Sequence, residues 1–301
     1  MEQKNKFNLP YVVIFIPAYN EEGAIGKTID SVKEELIKEK YKEFYFETIV
    51  IDDGSKDKTG EIAKGRGVKV ITHPVNMGLG AATRTGMRTA YEMGADIAVK
   101  VDGDAQFVME GIDKMISPIL ENKADVIFGS RFLGSILYKM PFHRAWGNTF
   151  FAWLTSRLTG MKVTDSSTGL ISFCRRYLAC FSILMDYNET QQLIIDAWGK
   201  NMRVIEIPIS SNQRKSGKSF VNWKYPFRVL PAMLRSYIHA KPLKSFFCIG
   251  SCIFIIGVAI GFLWFFGISR FFGGLSSAIL IITGIQIILF GFLADIVIKK
   301  R

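Results

Sequence analysis

Two long uncharged segments near the C-terminus constrain this 301-residue chain most. Residues 245–268 and 271–294 contain no Asp, Glu, Lys or Arg and are rich in Phe, Ile, Leu and Gly. About 20 apolar residues suffice for a helix to cross a bilayer, and this composition is typical of membrane helices. A single segment of this kind could be a buried core helix, but two in succession favour a transmembrane hairpin.

The net charge of +11 could indicate nucleic-acid binding, but the distribution of the charge indicates a membrane instead. Residues 207–244 contain eight Lys or Arg and no Asp or Glu, and the chain ends in Lys299, Lys300 and Arg301. Basic residues beside membrane segments mark the cytoplasmic side and attract anionic lipids. We therefore expect an integral membrane protein that contacts membrane lipids, binds no nucleic acid, and carries its N-terminal domain on the cytoplasmic face.

A third segment, residues 222–240, has apolar residues at helical spacing with Lys224, Arg228 and Arg235 elsewhere on the turn. The pattern favours an amphipathic helix in the membrane interface, kinked near Pro226 and Pro231, although a helix packed on the domain fits it as well. The predicted domains are therefore a cytoplasmic domain (1–220), an interfacial region (221–243) and a transmembrane hairpin (244–301).

The N-terminal part alternates short apolar runs with helical patterns. The runs that we predict to be strands are residues 11–16, 44–51, 68–72, 96–101, 125–129 and 203–209. Regular alternation of this kind predicts βαβ units and a sheet covered by helices on both faces. The expected class is α/β, with a Rossmann-like, mostly parallel sheet.

Charged residues cluster where these predicted strands end. Asp52, Asp53, Asp102, Asp104 and Arg131 all follow a strand, and ligands bind beyond the carboxyl ends of strands in such sheets. Asp102 and Asp104 lie on the same side of an extended backbone, and Gly103 permits a tight turn between them. A solvated loop would explain an isolated Asp-x-Asp, but the shared position at strand ends favours a Mg²⁺ or Mn²⁺ site shared with substrate phosphates.

Five motifs carry a specific family resemblance. They are Pro17-Ala18-Tyr19-Asn20-Glu21, Asp52-Asp53-Gly54-Ser55, Asn76-Met77-Gly78-Leu79-Gly80, Asp102-Gly103-Asp104-Ala105-Gln106 and Gly129-Ser130-Arg131-Phe132. Their order resembles that of the inverting glycosyltransferases of family 2, in particular the dolichyl-phosphate mannose synthases and other enzymes that make polyprenyl-phosphate sugars. The resemblance covers residues 10–220 and implies a GT-A fold, a nucleotide-diphosphate sugar donor and a dolichyl or polyprenyl phosphate acceptor.

The resemblance also implies residue roles. The nucleotide sugar would be bound by Pro17, Tyr19, Glu21, Asp52, Asp53, Asp102 and Asp104. The divalent metal, Mg²⁺ or Mn²⁺, would be bound by Asp102, Asp104 and Gln106. The acceptor phosphate would be bound by Arg131, Arg144, Arg214 and Lys218, and the catalytic residues would be Asp104, Arg131 and Arg214.

The chemistry of the proposed reaction supports this assignment of residue roles. A lipid phosphate is already anionic at pH 7, so the site needs cations that bring two anions together more than it needs a strong base. Two alternatives stay open: transfer to a lipid hydroxyl such as that of diacylglycerol, and a non-catalytic membrane protein that binds nucleotide sugar or lipid. The donor could be GDP-mannose, UDP-glucose or UDP-N-acetylglucosamine, and glycines within residues 250–261 leave room for a homo-oligomer.

Overall fold

The structure is a computed structural model that describes residues 9–107, 111–136, 142–212, 225–267 and 273–299. Its contacts divide the chain into two compact units, Met1–Met233 and Leu234–Arg301. Each unit is described separately below. The domain boundaries expected at residues 220 and 243 stay a prediction.

The first unit is built on one seven-stranded sheet with the order β3-β2-β1-β4-β6-β5-β7. The strands are β1 (Tyr11–Ala18), β2 (Tyr45–Asp52), β3 (Lys69–Thr72), β4 (Ile97–Lys100), β5 (Val126–Ile136), β6 (Ile171–Cys174) and β7 (Val204–Ser211). Every pairing is parallel except those of β6, which is antiparallel to both β4 and β5. The expected mostly parallel α/β sheet is confirmed, and the strand β6 is an element that the sequence did not predict.

The central strands are apolar because both of their faces are covered. All eight residues of β1 are buried. Ile14 and Ile16 belong to one apolar cluster, whereas Val13 and Phe15 belong to the cluster on the opposite face. Successive side chains of a strand point to opposite faces, so a strand between two helical layers needs apolar residues at every position.

Within the described residues of the first unit, seven α-helices cover the sheet or connect its strands. They are α1 (Ile25–Leu36), α2 (Thr59–Gly65), α3 (Leu79–Glu92), α4 (Ser117–Leu120), α5 (Phe142–Thr159), α6 (Arg175–Leu178) and α7 (Glu189–Gly199). The sequence pattern predicts a single helix over residues 110–122, but the structure has a 3₁₀ helix, Ile112–Met115, followed by the short α4. Pro118 explains the break, because it has no N–H with which to continue the preceding turn.

An eighth helix, α8 (Tyr225–Ala240), crosses the boundary between the two units and contains Pro231. It corresponds to the predicted amphipathic segment. Its exposed apolar residues include Phe227, Leu230 and Leu234. Its placement in a membrane interface stays a prediction.

Beyond α8, the described residues of the second unit form two long helices, α9 (Pro242–Phe265) and α10 (Gly274–Lys299). Both are long and apolar enough to cross a membrane, and only 11% of the most apolar window of each is buried. A core helix of a soluble protein would be mostly buried. The two helices are therefore a candidate transmembrane hairpin.

Glycines bring α9 and α10 close together. A Cβ atom added to Gly250 would lie 2.7 Å from the carbonyl oxygen of Gly284, and one added to Gly257 would lie 2.9 Å from the amide nitrogen of Ile281. Ser277 Oγ also donates a hydrogen bond to Gly257 O at 2.8 Å. Small residues at these positions thus serve packing within the chain, and the homo-oligomer for which the sequence leaves room is untested.

Candidate active site

A cavity of about 520 Å³ opens at the carboxyl ends of β1, β2 and β4. It lies entirely within the first unit. Its lining comes from the chain after β1 (17–19 and 21), after β2 (Asp53), around the start of α3 (76, 78–79 and 82), after β4 (102–104), and from 167–168 and 186–190. Strand ends that are far apart in the sequence thus meet in one place, as expected for a sheet of this type.

Most of the predicted nucleotide-sugar residues line this cavity: Pro17, Tyr19, Glu21, Asp53, Asp102 and Asp104. Asp52 is an exception, since it is buried and not part of the lining. Its Oδ1 accepts a hydrogen bond from the amide of Ser55 at 3.0 Å, and a Cβ added to Gly60 would lie 2.7 Å from its Oδ2. In this structure Asp52 supports the loop after β2, and its proposed contact with a nucleotide stays a prediction.

Asp53 organises the glycine-containing loop before α3. Its carboxylate accepts hydrogen bonds from the amides of Met77 (3.0 Å) and Gly78 (2.8 Å) and lies 2.7 Å from His73 Nδ1. Gly78 has φ +96°, and an added Cβ would lie 2.6 Å from the carbonyl oxygen of Asp186. Both the backbone conformation and the close approach require glycine here.

A buried lysine holds the first carboxylate of the Asp102-Gly103-Asp104 motif. Lys100 is fully buried at the end of β4, and its Nζ donates to Asp102 Oδ1 at 2.6 Å and to Glu189 Oε1 at 2.9 Å. Burial lowers the pKa of Lys100, but the charges of Asp102 and Glu189 outweigh this effect and raise the pKa above its ordinary value. Lys100 is therefore a buried cation shared by two carboxylates that line the cavity.

Sequence reasoning missed both Lys100 and Glu189. The signal for Lys100 was present, because a single charge interrupts the apolar run 97–101. A charged residue within a buried strand is rare unless it is paired. Nothing in the sequence indicated that the partner would be Glu189, at the first turn of α7.

The other side of Asp102 is closed by Gly169. A Cβ added to this glycine would lie 1.9 Å from Asp102 Oδ2. Any larger residue would push against the carboxylate. Asp102 is thus fixed by Lys100 at one oxygen and by the Gly169 backbone near the other.

The side chains that line the cavity suit a divalent metal that needs only one or two protein ligands. The described ranges contain no group of three or more His, Cys, Asp or Glu side chains able to hold a metal. Asp102 and Asp104 both line the cavity and offer two carboxylates. Mg²⁺ commonly binds through one or two carboxylates and takes its other ligands from water and substrate phosphates, so these two residues fit it.

Gln106, the third predicted metal ligand, is not part of the cavity lining. Its amide N–H donates to Asp104 Oδ1 at 3.2 Å, and its carbonyl oxygen accepts from the amide of Asn212 at 2.8 Å. These contacts tie the loop that carries Asp104 to the end of β7. A metal contact by Gln106 stays a prediction.

Arg131, at the end of the parallel part of β5, is held by a carboxylate. Its Nε and Nη2 donate to Asp165 Oδ2 (2.7 Å) and Oδ1 (2.9 Å), and Nη2 also donates to Ser167 O and Oγ at 3.0 Å. Arg131 does not line the cavity, whereas Ser167 does. The structure thus brings Arg131 next to the cavity wall, with much of its guanidinium already engaged.

The remaining predicted acceptor residues cannot be placed in the same way. The backbone of Arg144 lies in α5, but its side chain is outside the described part of the structure. Arg214 and Lys218 also lie outside the described residues. Their predicted roles in acceptor binding stay predictions.

Comparison with known proteins identifies the family. Residues 13–180 match the family model described as Glycosyl transferase family 2, so the chain belongs to this family of glycosyltransferases. The resemblance drawn from the five sequence motifs is confirmed.

Two curated relatives are informative. The chain is 34% identical over 221 residues to a UDP-N-acetylglucosamine–dolichyl-phosphate N-acetylglucosaminyltransferase of Methanococcus voltae, covering 66% of this chain and 85% of the relative. It is 27% identical over 228 residues to a dolichyl-phosphate beta-glucosyltransferase of Trichomonas vaginalis, covering 69% and 68%.

Among solved structures, the chain resembles glucosyl-3-phosphoglycerate synthase from Mycobacterium tuberculosis, determined in complex with Mn²⁺, UDP-glucose and phosphoglyceric acid. The TM-score is 0.56 at 20% identity, and the match covers 77% of this chain and 78% of the other. This likeness supports the expected GT-A type of fold for the first unit.

Proposed function

We propose that this protein transfers one sugar from a nucleotide-diphosphate sugar to dolichyl or another polyprenyl phosphate. The reaction would invert the anomeric configuration and take place at the cytoplasmic face of a membrane. The observation that carries the proposal is the cavity at the strand ends, which brings Tyr19, Glu21 and Asp53 together with Asp102 and Asp104. GDP-mannose, UDP-glucose and UDP-N-acetylglucosamine are the candidate donors.

The relatives support both substrate classes. The names of the two curated relatives specify dolichyl phosphate as acceptor, and one names UDP-N-acetylglucosamine as donor. The solved structure that the chain resembles contains Mn²⁺ together with UDP-glucose. These proteins favour a nucleotide sugar, a divalent metal and a lipid phosphate as the ligands of this cavity.

On the donor side, Tyr19, Glu21 and Asp53 would bind the nucleoside, and Asp102 and Asp104 would hold Mg²⁺ or Mn²⁺. When bound, the metal would neutralise the negative charge that grows on the leaving diphosphate. Lys100 and Gly169 keep the Asp102 carboxylate in one orientation before the donor arrives. Because this carboxylate is already ordered, donor binding loses less conformational entropy at this side chain.

On the acceptor side, the carboxylates of the cavity favour a phosphate over a hydroxyl. Asp102 and Glu189 share Lys100, and Asp186 pairs with Arg84. These three carboxylates already accept hydrogen bonds from Lys100 or Arg84, so part of their acceptor capacity is taken. An anionic phosphate can attack without a base, whereas a lipid hydroxyl needs one.

The acceptor phosphate would be bound by Arg131, Arg144, Arg214 and Lys218. Arg131 is the member of this set whose contacts are described, and it would reach the phosphate beside Ser167 on the cavity wall. Planar guanidinium groups bind phosphate oxygens in a bidentate manner, which suits the task of bringing two anions together.

A substitution of Asp104 tests the proposal. Purified protein, incubated with nucleotide sugar, Mn²⁺ or Mg²⁺ and polyprenyl phosphate, should form a polyprenyl-phosphate sugar. Asp104→Ala should lower the initial rate by about 10²-fold or more, since loss of a metal carboxylate removes several kcal/mol of charge stabilisation. The matched control is Asp30→Ala, which removes a half-exposed carboxylate of α1 that pairs with Arg66 and should retain the wild-type rate. Absence of any glycolipid product with the wild-type protein, or full activity of Asp104→Ala, would refute the proposal.

A further inference from the structure

Strand β7 lies at one edge of the sheet and carries a glutamate, Glu206, near its middle. Ile205 and Ile207 pack against one of the two apolar clusters, and alternation along a strand therefore places Glu206 on the opposite face. Glu206 is partly buried. Edge strands often carry solvated charges, so this position alone indicates no role.

The contacts of Glu206 show that its carboxylate holds another segment of the chain. It accepts hydrogen bonds from the amide of Thr164, which lies 2.9 Å from each oxygen, and from the amide of Asp165 at 3.1 Å. The hydroxyl of Thr164 also donates to Oε2 at 2.7 Å. Hydrogen bonds to an ionised carboxylate are stronger than those between neutral groups. One side chain of β7 thus fixes two successive amides at the start of the 164–169 loop.

This loop in turn holds Arg131. Asp165 is fully buried, and its carboxylate pairs with Nε and Nη2 of the Arg131 guanidinium. The hydroxyls of Ser130 and Thr164 lie 2.6 Å apart. Since Thr164 donates its hydroxyl hydrogen to Glu206, Ser130 is the donor in this second bond. Glu206 therefore fixes the backbone from which the partner of Arg131 projects, and it also orders the hydroxyl beside it.

The other end of the loop is anchored without β7. Thr190 Oγ1 donates to Thr168 O at 3.0 Å, and Leu170 O accepts from the amide of Gly129 at 2.9 Å. The residue between Thr168 and Leu170 is the glycine that lies against Asp102 on the donor side. Loss of the β7 contacts should therefore disturb the end of the loop that carries the arginine partner more than the end that borders the metal carboxylate.

We propose that Glu206 is a positioning residue for the acceptor half of the active site. By holding the amides of Thr164 and Asp165, it sets the orientation of the Asp165 carboxylate and, through it, the guanidinium of Arg131. Glu206 is not part of the cavity lining and acts through the loop alone. The inference rests on the proposed function, because it takes Arg131 to bind the lipid phosphate.

Two substitutions separate the hydrogen bonds of Glu206 from its size. Glu206→Leu keeps a side chain of similar volume but removes both acceptor oxygens. The KM for polyprenyl phosphate should rise about fivefold, the change in an equilibrium constant that one net hydrogen bond produces. The KM for the nucleotide sugar should stay close to the wild-type value. Glu206→Gln keeps an oxygen that can accept from both amides, so it should restore the wild-type KM for polyprenyl phosphate.

Glu47→Leu is the matched control. Glu47 is also a partly buried glutamate of a strand, and it accepts a hydrogen bond from the hydroxyl of Tyr11 at 2.7 Å, toward the amino end of β2 and away from the cavity. Both KM values should keep their wild-type size in this variant. A wild-type KM for polyprenyl phosphate in Glu206→Leu, or an equal rise of both KM values, would overturn the proposal.

A spectroscopic measurement tests the positioning without turnover. The full-length protein is labelled with ¹⁵N-arginine in detergent micelles, and the Nε–H signal of Arg131 is identified by its absence in Arg131→Lys. Glu206→Leu should shift this signal and speed its exchange with water, whereas Glu206→Gln should leave it near its wild-type position. An unchanged signal in Glu206→Leu would overturn the proposal. The expected shift in a protein that transfers no sugar would support the link from Glu206 to Arg131 and refute the proposed function, which separates the two failures.

A milder variant keeps the test decisive if Glu206→Leu does not fold. Thr164→Val has a similar shape and removes only the hydroxyl that donates to Glu206. The KM for polyprenyl phosphate should rise about twofold, since a single hydrogen bond is lost and both backbone amides keep theirs. The Arg131 signal should shift in the same direction as in Glu206→Leu micelles or, without that variant, away from its wild-type position. No change in either the KM or the signal would overturn the proposal.

Discussion

The two predicted halves of the active site are both anchored by ion pairs, but in opposite ways. On the donor side, the predicted ligand Asp102 lines the cavity, and a buried cation, Lys100, holds it from behind. On the acceptor side, the predicted ligand Arg131 is not part of the lining, and a buried carboxylate, Asp165, holds it in a bidentate pair.

This difference indicates how far the side chains of each half already occupy the positions that ligand binding requires. The carboxylates of Asp102 and Asp104 already line the space that a donor would fill. To bind a lipid phosphate as proposed, Arg131 would have to share its guanidinium between Asp165, Ser167 and the phosphate. We therefore expect the donor site to be preformed and the acceptor site to require adjustment of side chains when the lipid phosphate binds.

The largest effect is expected from Lys100→Met. The substitution removes a fully buried charge and leaves the carboxylates of Asp102 and Glu189 close together without their cation. Breaking a buried ion pair by removing one partner costs about 3–5 kcal/mol. The free energy of unfolding, followed by denaturant titration in detergent, should fall by this amount.

A double variant sharpens this test. Lys100→Met with Glu189→Gln removes the uncompensated charge on Glu189 and should recover part of the lost stability. Wild-type stability of the single variant would show that Lys100 does not anchor the donor side.

A smaller effect is expected from Arg131→Lys. Lysine keeps the charge but loses the planar fork that binds carboxylate and phosphate oxygens in pairs. The KM for polyprenyl phosphate should rise about tenfold, which corresponds to about 1.4 kcal/mol, while the KM for the nucleotide sugar stays close to the wild-type value. Steady-state kinetics with each substrate varied in turn would measure both constants.

The matched control is Arg203→Lys. Arg203 forms the same type of pair with Asp125, with Nε 3.0 Å from Asp125 Oδ2, just before the start of β5 and thus at the other end of the strand from Arg131. This variant should lower stability without changing either KM. If Arg131→Lys behaved in the same way, Arg131 would have a structural role only.

The smallest effect concerns pH. Hydrogen bonds from the Arg203 side chain, aided by the charge of Arg176, lower the pKa of Asp125 to about 2, against an ordinary value of 3.8. A carboxyl group whose pKa is lowered on folding stabilises the protein above its ordinary pKa and loses this contribution as the pH falls through the folded value. The wild-type unfolding temperature should therefore decline between about pH 4 and pH 2. Asp125→Asn should remove this part of the decline, and an unchanged pH profile in the variant would contradict the assignment.

Much of the fold could be predicted because it depends on local patterns. The apolar runs became β1, β2, β3, β4 and β7 with small shifts of their ends, and the two uncharged segments became α9 and α10. The strand β5 was also predicted, but it continues to Ile136, seven residues beyond its predicted end. The converging acidic residues could be predicted for the same reason, since Asp53, Asp102 and Asp104 follow parallel strands that end at one edge.

The features that the sequence did not predict depend on contacts between segments that are distant in the chain. The short strand β6 has only four residues, and its antiparallel place between β4 and β5 has no local signature. Lys100 meets Glu189, and Arg131 meets Asp165, across long stretches of sequence. The orientation of α5 also depends on the partners of Asn148, such as Ser166, which lie in a later segment of the chain.

The central claim is that the sugar acceptor is a lipid phosphate. The most direct measurement offers the purified protein polyprenyl phosphate and the corresponding polyprenol under identical conditions, with each candidate nucleotide sugar and Mn²⁺ or Mg²⁺. Products would be identified by mass spectrometry and their anomeric configuration by NMR. The account predicts a polyprenyl-phosphate monosaccharide with inverted configuration and no product from the polyprenol. Transfer to the polyprenol hydroxyl, with the phosphate inert, would contradict it.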